Sequence, residues 1–114
     1  MDPISVEELE KAQSTDEIIG PVYSSVVLGC RPERKIWEKL GKQSKLLFYQ
    51  WDKLKIENGI LIRETSRKQV VLPEKYHEIV FRELHMKMGH LASDRVEELI
   101  RQRYYWPYLK SGAK

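Results

Sequence analysis

Asn58-Gly59, set between Leu54-Lys55-Ile56-Glu57 and Ile60-Leu61-Ile62, constrains the fold of this chain more than any other dipeptide in it. A two-residue type I′ turn needs positive φ at both central positions. Asn-Gly adopts them at least cost, and the turn's twist matches that of the strands it joins. Leu54, Ile56, Ile60 and Ile62 alternate with polar neighbours, the period of a strand. Gln69-Val70-Val71-Leu72, after the polar loop Thr65-Ser66-Arg67-Lys68, reads as a third strand. The chain therefore contains a small antiparallel sheet of two or three strands.

Helical signals surround it, so the expected class is α+β, mostly helical, with about five helices. Ser5-Val6-Glu7-Glu8 has the capping-box pattern and predicts a helix to about Gln13, and Ser14-Thr15-Asp16-Glu17 repeats the signature. Pro21 fits the first position of a helix stopped by Gly29, with Tyr23, Val26 and Val27 on one face. Pro32 fits the start of a helix carrying Ile36, Trp37 and Leu40, and Ser44 the cap of one carrying Leu47, Trp51 and Leu54. Trp37, Phe48 and Trp51 are core candidates. Pro73 opens the longest predicted helix, about Glu74 to Met88, ended by Gly89. Ser93 caps the last, in which Val96, Leu99, Ile100 and Tyr104 form a stripe that Trp106-Pro107 stops.

One hundred and fourteen residues suit one domain, or a small domain with an appendage. No apolar run approaches the roughly 20 residues of a membrane span, and no basic segment followed by an apolar one opens the chain. The expectation is a soluble, intracellular protein. Cys30 is the single cysteine, which excludes an internal disulfide and a cysteine-rich metal site; a lone thiol of this kind is expected as a small buried hydrophobe. Charge is uneven. Residues 1–30 hold six acidic side chains and one basic, a net −5, whereas residues 31–114 hold 19 basic and 11 acidic, a net +8. A basic body fits an anionic partner such as nucleic acid, and it equally fits ordinary surface charge kept for solubility.

His85 and His90 are the candidate metal ligands. On one straight helix they would lie about 140° apart, but if the helix ends at Gly89, His90 can fold back towards His85. Two converging imidazoles make half of a tetrahedral zinc site. Two histidines also serve as hydrogen-bonded surface or core groups, and spacing alone does not decide between the readings. His77 lies about 12 Å of helix rise from His85, too far to complete a site. Glu78 and Glu83 read as a solvated helix face with i,i+4 pairing rather than as acid–base catalysts. In the tail, Arg95, Arg101, Arg103 and Lys110 are the candidate DNA-binding residues. Tyr104 and Trp106 either stack on bases or close the core.

Met88-Gly89-His90-Leu91 and Arg101-Gln102-Arg103-Tyr104-Tyr105-Trp106-Pro107 resemble the His-His-Cys-Cys zinc-binding region of Ty3/gypsy-type retrotransposon integrases. Ile19-Gly20-Pro21-Val22, Gly29-Cys30-Arg31-Pro32, Gln50-Trp51-Asp52-Lys53-Leu54 and Asn58-Gly59-Ile60-Leu61 are similar to the stretch that precedes it in the same polyproteins. The resemblance implies an N-terminal extension over residues 1–72 and the helical part of a zinc-binding module over 73–114. It makes His85 and His90 the first two zinc ligands and implies a later Cys-x-x-Cys pair. No such pair occurs up to Lys114, so zinc is expected in the full-length integrase and absent or weakly bound here. It further implies a non-catalytic role in a nuclear protein: holding double-stranded element ends and assembling integrase multimers, with strand transfer performed by a later domain. The alternative is a transposon-derived host protein that keeps the fold as a protein-interaction module.

Overall fold

The computed structural model describes residues 4–87 and 93–107. The α+β expectation holds: among these residues there are six α-helices and one four-stranded sheet in the order β1-β2-β3-β4. α1 (Val6–Thr15) begins with the expected capping box. The Ser5 hydroxyl accepts from the Glu8 N–H at 3.1 Å, and the Glu8 carboxylate accepts from the Ser5 N–H at 3.4 Å. The second predicted capping box takes another form. The Asp16 carboxylate accepts from Ile18 and Ile19 N–H, each at 2.9 Å, and turns the chain into α2 (Gly20–Leu28). Gly29 ends α2 at φ 74°, the left-handed conformation that glycine tolerates without a Cβ clash.

The next two helices are shorter or displaced. α3 (Arg34–Trp37) is a single turn. α4 (Lys42–Tyr49) starts from Gly41, so Ser44 is not its cap. Ser44 is instead buried, and its hydroxyl donates to the Ile18 carbonyl at 2.8 Å, fastening α4 to the α1–α2 corner. Trp51 leaves the helix for a 3-10 turn, Trp51–Lys53, that leads into β1 (Leu54–Glu57).

β1 and β2 (Ile60–Glu64) form the predicted hairpin, with Asn58 at φ 55° and Gly59 at φ 83°. β2 is more apolar than alternation alone requires. Ile60, Leu61 and Ile62 are all buried, because this central strand is covered on both faces. β3 (Lys68–Val71) pairs antiparallel with β2. A fourth strand corrects the sequence-based count. Tyr104–Tyr105 (β4) pairs parallel with β3, Val70 opposite Tyr104 and Val71 opposite Tyr105. A parallel neighbour needs a long crossover, here supplied by a 3-10 turn (Glu74–Tyr76), α5 (His77–Lys87) and α6 (Ser93–Arg101). The predicted final stripe thus splits: Val96 and Ile100 remain helical and buried, whereas Tyr104 belongs to the sheet. The residue before Pro107 avoids helical geometry, and paired tyrosines favour extended chain.

Side-chain alternation sorts two cores onto the two faces. One gathers Ile19, Val22, Tyr23, Trp37, Leu47, Phe48, Leu54, Leu61 and Val71. The other gathers Ile4, Leu9, Ile60, Ile62, Leu72, Val80, Val96, Ile100 and Tyr104. Between them lies Gln13, fully buried on α1. Its amide donates to the carbonyls of Leu61 (3.0 Å) and Val71 (2.7 Å) and accepts from Leu61 N–H (2.8 Å). The paired register of β2 and β3 runs from Ile62–Val70 to Glu64–Lys68. Gln13 therefore bridges the strands where that pairing stops, satisfying buried backbone groups that would otherwise be orphaned.

Candidate metal and nucleic-acid site

α5 places His85 in its last turn. The ring is half-buried and lies parallel to Phe81 one turn earlier, with centroids 6.2 Å apart and planes at 11°. The predicted charge pairing on the solvated face is present, Glu78 with Arg82 at 3.2 Å and Glu83 with Lys87 at 3.6 Å. His90 lies outside the described residues. Among those described, no group of three or more His, Cys, Asp or Glu side chains could hold a metal ion. Zinc takes four ligands, or three and a water, so the described donors do not by themselves form a site.

The other two candidate donors are engaged differently. Cys30 is exposed after α2, contrary to its expected burial, because the chain turns outward at Gly29. His77 opens α5 and serves the fold. Its Nε2 donates to the Leu72 carbonyl at 3.1 Å, and its ring stacks on Trp106 at 3.7 Å with planes 17° apart. Burial holds its pKa below the ordinary histidine value, against the opposing pull of the Leu72 carbonyl and of Glu74 and Asp16.

α6 turns Val96 and Ile100 inward and leaves Arg95 exposed, its guanidinium 3.5 Å from Glu98. Arg103 is also exposed, 6.0 Å from the Tyr104 ring. Arg101 is half-buried, with Nη1 enclosed and without a hydrogen-bond partner among the described residues. Lys110 lies outside the described residues. Of the tail aromatics, Tyr104 is buried in the core and Trp106 is half-buried against His77.

The residues that anchor this tail were not singled out in the sequence. Gln69 of β3 donates to the carbonyls of Arg101 (2.5 Å) and Tyr104 (3.3 Å), and Arg67 reaches the Arg101 carbonyl at 3.2 Å. Both satisfy an orphan acceptor at the end of α6. Arg63 bonds Gln50 and Gln69 and lies 4.6 Å from the Tyr105 ring, whose hydroxyl accepts from Gln50 at 2.6 Å. A polar residue at a buried strand position was the one available signal, and it named no partner.

The segment from Leu72 onward therefore carries the His85 helix, the arginine-bearing helix and the strand that locks them to the sheet. Residues 72–114 match the family model of the integrase zinc binding domain. The match covers 43 of the chain's 114 residues and is to the zinc-binding part of integrases. Residues 1–71 lie outside it. No curated protein and no solved structure matches the chain. Among the described residues, no helix is long and apolar enough to cross a membrane.

Proposed function

We propose that this chain is the N-terminal region of a Ty3/gypsy-type retrotransposon integrase. It holds double-stranded element ends and helps integrase subunits associate in the nucleus, while a separate domain performs strand transfer. The observation that carries this reading is the coincidence of the zinc-binding-domain match with the α5–α6–β4 unit, whose inner face is core and whose arginines Arg95 and Arg103 are exposed. His85 and His90 supply two zinc ligands, and the family's Cys-x-x-Cys pair supplies the other two. Residues 1–72 act as the extension on which the zinc module, 73–114, is built.

Arg95, Arg101, Arg103 and Lys110 are the DNA contacts. If each neutralises one phosphate, the logarithm of duplex affinity falls with the logarithm of salt at a slope of about −3.6, and each arginine-to-glutamine change makes it shallower by about 0.9. The reading fails if the chain neither binds duplex at low salt nor self-associates when joined to the remainder of an integrase. Self-association without duplex binding would favour a transposon-derived interaction module.

A further inference from the structure

On the sheet face away from α5 and α6, the α2–α3 loop, α3 and α4 form an open surface concavity of about 450 Å³ lined by Arg31, Pro32, Glu33, Arg34, Trp37 and Tyr49. Its chemistry is that of stacked guanidinium groups. Arg31 and Arg34 lie 6.0 and 5.9 Å from the Trp37 ring, and Arg34 lies 5.6 Å from the ring of Tyr49. Trp37 and Tyr49 meet edge to face at 5.1 Å, which fixes the wall. Each arginine is tethered by one bond, Arg31 to the Phe48 carbonyl at 3.3 Å and Arg34 to the Tyr49 hydroxyl at 3.0 Å. A guanidinium has five N–H donors, so such tethering pre-orients the fork and leaves donors for an anion.

The acidic neighbours do not cancel this charge. Glu33 pairs with Lys35 at 3.7 Å and Glu38 lies 3.9 Å from Arg34, both on exposed side chains where screening is strong. Residues 31–53 hold seven basic and three acidic side chains. Tyr49 as a residue is 54% exposed, so a planar ligand can reach its side chain from solvent.

We infer that this concavity binds a nucleotide of single-stranded nucleic acid, its phosphate between Arg31 and Arg34 and its base against Tyr49. A concavity of this size admits an unstacked nucleotide, whereas the bases of a duplex are stacked out of reach. An extended acidic peptide is the poorer fit, because the lining is loop and helix and presents no strand edge for its backbone. The inference is independent of the duplex-binding reading, which rests on a different face and different residues.

Fluorescence anisotropy of the full chain with a labelled oligo(dT) 12-mer tests it. Arg31→Gln with Arg34→Gln should weaken binding at least about tenfold, and Tyr49→Leu by about fivefold or more. Arg31→Lys with Arg34→Lys keeps the charge and removes the fork, so it too should lose affinity. It serves where the glutamine variant fails to fold by circular dichroism. Oligo(dT) binding indifferent to all three variants, or absent at about 50 mM salt, overturns the inference. So does stronger competition by an acidic peptide than by oligo(dT). Loss of duplex binding in Arg95→Gln and Arg103→Gln, with oligo(dT) binding retained, separates the two readings.

Discussion

On one face of the sheet the core is closed by a single stretch of chain, Ile19 to Val71, with Tyr105 packed at its margin. On the other it is gathered from both ends, Ile4 and Leu9 from one and Val80, Val96, Ile100 and Tyr104 from the other. The first face also has the denser aromatic packing. Trp37 stacks on Phe48 at 5.5 Å and Phe48 on Trp51 at 6.3 Å. Of the described residues in α5, only Val80 is fully buried. Contacts within one stretch close smaller loops and lose less chain entropy than contacts between distant ends. The part of the fold built from Ile19 to Val71 should therefore be the stable platform, and α5 and α6 the part most readily released.

The sharpest test is a pair of truncations in the two cores. Phe48→Ala should cost about 3–5 kcal/mol by denaturant titration, since Phe48 is 1% exposed. Protection against hydrogen exchange should fall on both faces. Ile100→Ala should cost about 2–4 kcal/mol while protection at Val22, Leu61 and Val71 persists. Equal loss of protection in both variants would break the comparison. Gln13→Ala, which strips the bridge between the faces, should lower stability by about 2–3 kcal/mol, because it leaves buried groups of Leu61 and Val71 unpaired. An unchanged urea midpoint would show that the strands close without it.

Gly59→Ala should cost about 1 kcal/mol. Its φ is 83°, and a Cβ there would meet the Glu10 carboxylate at 2.8 Å. Glu10 is a flexible end and can move aside, so the penalty that remains is the backbone's, read as a small fall in Tm. The least effect is the pH dependence at the junction of the two regions. The His77 pKa is lowered in the folded state, so its contribution is complete above the ordinary histidine value of 6.5 and is lost as pH falls below it. The melting temperature should fall between pH 7.5 and 5.5, and His77→Gln should flatten that slope. An unaltered slope in the variant would assign the acid sensitivity to other groups.

Local rules made much of this fold legible. The Ser5–Glu8 box, the Gly29 stop, the Asn58-Gly59 turn and three of the four strands follow from φ preferences and hydrogen-bond reach over a few residues. Ser44 misled because its hydroxyl has two available acceptors or donors, its own helix and the distant Ile18 carbonyl, and packing chose the second. Cys30 misled because a thiol's burial depends on where the chain turns.

What the residues determined alone was the class of fold, the hairpin, the helix that carries His85 and the basic balance of residues 31–114. What only tertiary structure decided was how distant segments meet: β4 beside β3, Gln13 between the strands, His77 on Trp106, and Arg31 and Arg34 around Trp37. The physical reason is range. Propensity and capping act over three or four residues. Pairing a strand at position 70 with one at 104, or an amide at 13 with a carbonyl at 71, instead depends on a shared core that forms only when the whole chain is folded.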